Sequence, residues 1–486
     1  MTTYLNPVLA GDRPDPAVIK VGDEYWMTYS SFESAPGLLL YRSTDLVNWT
    51  YEGPALENPV GITFAVDIAE VDGRFFIYIP FIPAPWSQLE APSIYVIHAP
   101  SMRGPWSEPI DLGIRWAIDP GHVVGEDGTR HLFVSGIRRI ELAPDGLSTV
   151  GELEQVYDGW RYPDEWVTEA YALEGPKLFR RGEWFYLVSA VGGTAGPATG
   201  HMVIVARARS VHGPWENSPG NPVARTQDAS EKWWSRGHAT ILPGPGGQDW
   251  WMLSHGYENG YRTLGRQILL EPIEWSEDGW PVTASQDIGG ALAAPSGAAP
   301  QAASSAFEDD FSGFRLGERW TFHAPSPGEA GRVSADDGLV VSGKGTGPGD
   351  TSPLAVIVGD HSYEVEVDVE VDGGEGGLLL FFNDRLFTGM GIDGERMRSY
   401  HGGRPTHWRE PAPAAHRMTL RLRNDQHIVT GWYRVPGGEW VRHAIRYETS
   451  GFHANTMGDL LSLRPALYAA GEGSVRFRDF RYRPLG

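Results

Sequence analysis

Cysteine is absent from the chain, which excludes disulfides, thiolate metal sites and cysteine nucleophiles. Long apolar runs are missing too, and no stretch approaches the ~18 uninterrupted apolar residues of a membrane-spanning helix. Positive charge is scarce: 40 Lys and Arg stand against 62 Asp and Glu, a formal net charge of −22. Such a surface repels phosphate polymers and anionic lipid, so neither nucleic acid nor membrane is an expected partner. The opening MTTYLNPVLAGDRPDP has no basic region and no apolar core of a secretion signal, and the expectation is a cytoplasmic protein. No amphipathic helix of three turns is readable in the first 280 residues.

Chain-breaking residues and aromatic rings are abundant instead. The 61 Gly and 37 Pro make up about a fifth of the 486 residues, against roughly 12% in average usage. They are spread among apolar stretches, as tight turns between short strands would be. Nineteen Trp, 19 Tyr and 18 Phe supply flat apolar faces. At roughly 100–200 residues per domain the length predicts two to four domains.

An internal repeat organises the first 280 residues. A Gly-centred turn followed by an aromatic strand reads VGDEYWMTYS from Val21, VDGRFFIYIP from Val71 and RRGEWFYLVS from Arg180, with weaker copies EDGTRHLFVS and PGGQDWWMLS. Two copies share a later corner, Gly104-Pro105-Trp106 and Gly213-Pro214-Trp215. A unit of ~50 residues with about four strands, repeated five times, predicts a five-bladed β-propeller. A polar residue heads the first strand of each copy: Asp15, Asp67, Asp119, Glu174 and His238, at separations of 52, 52, 55 and 64. Innermost strands of a propeller line its axis, so these five side chains are expected to converge at one mouth of the channel.

Composition changes after Trp280-Pro281. Residues 285–306 contain GGALAAPSGAAPQAASS, which reads as a linker. Beyond it Tyr363, Val365, Val367, Val369 and Val371 alternate with Glu364, Glu366, Asp368 and Glu370, as in a strand with one buried and one wet face. The segments 378–382, 418–423, 429–433 and 474–482 read as further strands of a β-sandwich. The expected organisation is all-β: a propeller over residues 1–284, a linker over 285–306 and a sandwich over 307–486.

Taken singly, Asp15 in Arg-Pro-Asp-Pro is an ordinary corner residue. Three acids at one repeat register, with Asp119 in Ile-Asp-Pro-Gly-His and Glu174 in Leu-Glu-Gly-Pro-Lys, weaken that reading. A hard-cation site would need six or more oxygens, usually from one loop, and no Asp-x-Asp-x-Asp-Gly loop occurs. Glycoside hydrolysis needs one ionised and one protonated carboxyl across the scissile bond, and aromatic walls suit sugar rings. A third acid raises the proton affinity of the general acid.

The stretch NPVLAGDRPDPAVIKVGDEYWMTYSSFESAPGLLLYRSTDLVNW resembles the opening of family 43 glycoside hydrolases, in their β-xylosidase and arabinofuranosidase branches. The likeness continues through Ile-Asp-Pro, Glu-Gly-Pro-Lys and Leu-Gly-Arg-Gln and covers residues 6–281. It implies a five-bladed propeller and an inverting, exo-acting mechanism. Asp15 then corresponds to the general base, Glu174 to the general acid and Asp119 to the acid that tunes Glu174. Arg266 matches an arginine that reaches the sugar and steadies the carboxylates, and Phe32 and Phe64 match aromatic walls of the terminal-sugar subsite. Phe64 departs from the family, where Trp-Ala-Pro-Asp usually stands in place of Phe-Ala-Val-Asp. Trp86, on a Pro-rich loop, offers either a stacking face or simple packing. His238 falls where some members hold a Ca²⁺ or a water, so a structural Ca²⁺ in the channel is an implied occupant, while no cofactor is required for turnover.

The second half resembles concanavalin-like accessory domains, through Phe307–Phe311 and Leu467-Tyr468-Ala469…Phe477-Arg478-Asp479-Phe480. In β-xylosidase relatives such a domain closes the pocket, and a carbohydrate-binding module is the other reading. The expected substrate is a plant-derived oligosaccharide bearing terminal β-D-xylose or α-L-arabinofuranose, with assembly into a homo-oligomer left open. The same fold acting on another sugar, such as a galactoside, and a non-catalytic carbohydrate-binding protein remain alternatives. The inverting assignment carries an expected Asp15–Glu174 carboxyl separation of roughly 6.5–9.5 Å.

Overall fold

Short antiparallel strands joined by Gly-centred hairpins build nearly the whole chain in a computed structural model that describes residues 2–283, 287–304, 306–406 and 414–485. Each aromatic repeat turns at a glycine in the left-handed region: Gly22, Gly73, Gly128, Gly182 and Gly247, with φ between 60° and 84°. The only α-helix among the described residues is Ala454–Met457, and no helix there is long and apolar enough to cross a membrane.

Five sheets of four or five strands form the blades of the propeller. Their first strands are Ala17–Val21, Asp67–Val71, Gly121–Val124, Glu174–Arg181 and Trp233–Pro243. Aromatic and β-branched residues on the second strands fill the space between neighbouring blades. Trp26 packs with Ile77 and Phe81, Tyr78 with Leu132, Phe133 with Leu187, and Val188 with Ile241 and Met252. Each such side chain contributes about 1.5–3 kcal/mol of burial. The ring is sealed by the N-terminal residues, which lie along the fifth blade. Val8 N–H donates to Ile268 O (3.0 Å), and the Asn6 side chain both accepts from Leu270 N and donates to Leu270 O.

The segment expected as a free linker behaves differently over 287–302. Leu292–Ala293 pairs with Thr3–Tyr4, Ile288 is buried beside Trp233 and Leu269, and Ala299 N–H donates to Asp45. Small side chains leave its backbone groups free to pair, so the arm belongs to the propeller unit. Residues 284–286 and 305 lie outside the described ones.

The second unit comprises 303–486 together with the short excursions Glu33–Pro36 and Gly260–Gly265, a partition the simple division at 284 and 307 did not foresee. Two eight-stranded sheets face each other, with Val475 against Gly376 and Met390 against Gly431. All the expected strand segments are present, within Glu375–Asn383, Arg417–Asp425, Ile428–Arg434 and Ser474–Pro484. Tyr363, Val365, Val367, Val369 and Val371 point inward as read from the alternation. The opposite face carries cross-strand ion pairs: Glu364 with Arg483, Glu366 with Arg421, Asp368 with Arg417 and Glu370 with Arg478. That roof of arginines leaves even Glu366 buried.

Ser43–Trp49, within the Ser-Thr-Asp-Leu-Val-Asn-Trp motif, forms a tight corner. Asp45 Oδ1 accepts from Val47 N (3.0 Å) and Asn48 N (2.7 Å), and Oδ2 accepts from Asn48 Nδ2 (2.9 Å) and Ala299 N (3.3 Å). Asp45→Ala, which orphans several buried donors, is expected to lower the unfolding free energy of the propeller by about 2–4 kcal/mol, read from urea denaturation.

Candidate active site

Four of the five inner-strand heads share an unusual backbone, the second blade's Asp67 being the exception. Asp15, Asp119 and His238 all lie in the left-handed region, with φ of 60°, 54° and 52°. In the fourth blade the same conformation falls one residue later, on Gly175 at 61°. Residues other than glycine rarely hold this conformation, and where they do the surrounding structure must enforce it. Here it aims the side chains at the channel.

Asp15 is buried at 5% exposure and fully engaged. Its Oδ1 accepts from Arg266 Nη1 (2.9 Å) and its Oδ2 from Ser30 Oγ (2.5 Å), while its own N–H donates to His255 Nδ1 (3.0 Å). His238 Nδ1 stands 3.5 Å from Oδ1. Burial alone would push this carboxyl up, but Arg266 above all, aided by His238 and His255, holds it well below the ordinary carboxylate value.

Glu174 has the opposite environment. Burial, then the charge of Asp15, pushes it up to about 7, against a smaller pull from Arg266. Glu169, on the preceding loop, adds to the rise. Asp119 is likewise raised, by burial and then by Glu174 and Asp15, and its Oδ2 accepts from Gly175 N (3.1 Å). Each of the two carboxyls thus favours its protonated form more than an ordinary carboxylate does. Of the three acids Glu174 is the most open, with 22% of its side chain exposed against 7% for Asp15.

Three imidazoles complete the channel. His201 Nε2 lies 3.4 Å from Glu174 Oε1, and the His255 ring is 5.2 Å from that of His201 and 6.1 Å from that of His238. Burial lowers His201 to about 4 and His238 to about 3, and takes His255 well below its usual value, so all three are neutral at pH 7. Gly237 and Gly175 make room for them. A Cβ at 237 would meet His201 Nδ1 at 2.2 Å, and one at 175 would meet the His238 ring at 2.9 Å.

Calcium takes six or more oxygen ligands. His238 offers a nitrogen to Asp15 and its Nε2 has no protein partner, and among the described residues no three His, Asp or Glu side chains are set to hold a metal together. The donor set therefore does not fit a protein-built Ca²⁺ cage.

Arg266 is almost completely buried. Its backbone N–H donates to Asp12 Oδ1 (3.1 Å), its guanidinium lies 5.4 Å from the Phe32 ring, and its Nε and Nη2 have no protein partner. Phe32, also left-handed at φ 46°, forms a bridge with Thr63 and meets Phe64 edge-on at 5.2 Å. Contacts and electrostatic interactions thus connect Asp15, Asp119, Glu174, His238, Arg266, Phe32 and Phe64. Trp86 is half-buried on the loop between Arg74–Ile82 and Ser93–Ala99, and none of these contacts involves it. Asp67 occupies the expected register but is paired with Lys177 Nζ at 2.9 Å.

Ser30, His201, His255 and Lys177 were not anticipated. Ser30 ends the first aromatic repeat, as Ser135, Ser189 and Ser254 end others, and His255 follows Ser254, so the repeat itself carried a signal for two of them. Lys177 stands in the Glu-Gly-Pro-Lys motif. His201 precedes the third strand of the fourth blade at the register that Arg266 holds in the fifth, a correspondence outside the strands compared in the sequence.

The profile of the family described as "Glycosyl hydrolases family 43" matches residues 4–281. A xylan 1,3-β-xylosidase from a Vibrio species is 31% identical over 326 residues, covering 58% of this chain and 58% of that protein. A non-reducing end α-L-arabinofuranosidase of Bacteroides ovatus is 30% identical over 302 residues, covering 57% and 53%. The chain spans between half and three-fifths of the length of these relatives. The fold superposes on the GH43 protein BlXynB of Bacillus licheniformis with a TM-score of 0.87 at 23% identity, over 99% of this chain and 100% of that one. For a xylan β-1,4-xylosidase from Bacillus halodurans the TM-score is 0.86 at 21% identity, over 99% and 100%. With more than half its length matched by the profile, and with the propeller and its carboxylates in place, the chain belongs to glycosyl hydrolases family 43.

Proposed function

We propose that the chain is an exo-acting, inverting glycosidase that removes terminal β-D-xylosyl or α-L-arabinofuranosyl residues from short oligosaccharides. The observation that carries this reading is the contrast between two acids in one buried site: Asp15 is bound by Arg266 at 2.9 Å, which favours its carboxylate, while Glu174, the more open, has surroundings that raise its proton affinity. Glycoside hydrolysis requires one ionised and one protonated carboxyl, and inversion is what the family resemblance implies. In this reading Asp15 takes a proton from the attacking water, and Glu174, the acid most open to the pocket, gives one to the departing glycosidic oxygen. Asp119, joined to Glu174 through Gly175 N–H, keeps the proton on the pair. The unpartnered Nε and Nη2 of Arg266 supply donors for sugar hydroxyls, and Phe32 and Phe64 supply apolar walls. The names of the relatives in Vibrio and Bacteroides ovatus support the choice of pentose. Phe64, a departure from the Trp that the family resemblance implies at this position, is the one feature that favours a different terminal sugar.

Glycosidic linkage and reaction outcome are read by incubating the protein with xylobiose and with an arabinofuranosyl-substituted xylo-oligosaccharide, and following the first-formed anomer by proton NMR. Appearance of the inverted anomer is expected, and a retained one rules out the assigned roles. Asp15→Asn is expected to lower kcat about 10²–10⁴-fold in a protein with unchanged circular dichroism. Glu174→Gln is expected to do the same on xylobiose but far less on nitrophenyl glycosides, whose leaving group needs little protonation.

The pH dependence follows with its sign. Deprotonation of Glu174 ends activity on the alkaline side, so kcat/KM falls as pH rises through about 7. Protonation of Asp15 ends it on the acid side, at a pH below the ordinary carboxylate range. Asp119→Asn removes one carboxyl of the coupled pair and is expected to move the alkaline limb to lower pH, measured as a kcat/KM profile.

A further inference from the structure

Asp67 sits at the catalytic register, yet its charge is spent on Lys177, and Lys177 has no assigned part in the reaction. Its ammonium is 5% exposed at the residue level and carries three N–H donors, each of which is used. One goes to Val66 O, one to Asp67 Oδ1 (2.9 Å) and one to Pro120 O (3.3 Å). Asp67 Oδ2 in turn accepts from His122 N at 2.7 Å. The acceptors come from the second and third blades, while Lys177 belongs to the fourth.

The sequence positions give this knot its meaning. Pro120 directly follows Asp119, and Lys177 stands three residues after Glu174 on one strand. A second bond, Gly175 N–H to Asp119 Oδ2, also joins the third and fourth blades. The strands there are in backbone contact, since a Cβ at Gly121 would lie 2.1 Å from Pro176 O. Asp119 and Glu174 are therefore bracketed by two inter-blade attachments, one of them ionic.

Resting on the functional reading above, we propose that Lys177 is a positioning residue: its ammonium fastens the heads of three inner strands so that Asp119 and Glu174 move and titrate as one unit. The titratable and charged groups around this unit are Asp67 and His122 from the second and third blades, His201 and Glu169 from the fourth, Asp15 from the first, and Arg266, His238 and His255 from the fifth, the imidazoles being neutral at pH 7. The charge of Lys177 lowers the proton affinity of Asp119, as that of Arg266 lowers the proton affinity of Glu174.

The test compares the wild-type chain, Lys177→Met and the double variant Asp67→Asn/Lys177→Met. Hydrolysis of nitrophenyl β-D-xylopyranoside and nitrophenyl α-L-arabinofuranoside is followed across pH, with ¹³C-carboxyl NMR titration of the same proteins. In Lys177→Met, kcat is expected to fall about tenfold or more with KM changed less than about threefold, as for lost alignment rather than lost binding. The alkaline limb and the carboxyl titration are expected to move up by about half a pH unit or more, because a positive charge has left and Asp67 remains. In the double variant, from which both charges leave, the limb is expected to return toward the wild-type position while kcat stays low, since Val66 O and Pro120 O remain unfastened.

A folded Lys177→Met protein with wild-type kcat and an unmoved limb overturns the proposal. Where that variant does not fold, a folded double variant with wild-type kcat overturns it equally, and one with low kcat supports it. Should the wild type hydrolyse neither glycoside, the choice of sugar fails, and the NMR titration alone decides on Lys177: an upward shift of the carboxyl pair supports the coupling, and no shift ends it.

Discussion

The ion pair between Arg266 and Asp15 fixes the electrostatics on which the rest of the site depends. Three carboxyls enclosed among neutral imidazoles cannot all be charged, and burial by itself would favour protonating each of them. The guanidinium contacts Asp15 directly at 2.9 Å, so Asp15 keeps its charge and the penalty falls on Asp119 and Glu174. The charge retained by Asp15 then becomes a reason for Glu174 to stay protonated. One contact thereby sets different proton affinities on side chains of the same chemical type.

Holding that contact requires closure of the whole ring. Arg266 lies in the fifth blade and Asp15 at the head of the first, and they meet where the N-terminal segment seals the propeller. Arg13 N–H donates to Arg266 O, and Arg266 N–H donates to Asp12. Seam and site are thus one construction. Damage to the N-terminal pairing would reach the carboxylates without any change in the residues that touch a substrate.

Much of this was legible in the sequence, because a propeller repeats its unit. The period set the five blades, and the register placed Asp15, Asp119, Glu174 and His238 together. Asp67 shows the limit of that logic. It shares the register and is buried like the others, yet it faces Lys177, a partner that arrives from two blades away and leaves no trace at the repeat spacing. His201 directly precedes the third strand of its blade, the register at which Arg266 stands in the fifth, and was missed because only the first-strand heads and the aromatic second strands were compared. The arm 287–302 was misjudged because small side chains look uncommitted, whereas its docking uses backbone pairing and one buried Ile288. Composition alone does not report either.

The left-handed backbone at the strand heads also explains which acid stands where. Asp and Asn adopt that conformation several-fold more readily than longer side chains, because a short polar group can satisfy the nearby backbone. In the first and third blades the left-handed residue is the acid itself, and both are Asp. In the fourth blade a glycine has taken over the turn, which frees the preceding position for ordinary extended backbone and a longer arm, and that acid is Glu. The division between short buried carboxyls and one long, solvent-reaching carboxyl is therefore written in the main chain, and an Asp-to-Glu exchange at 15 or 119 would meet a conformational barrier before it met a chemical one.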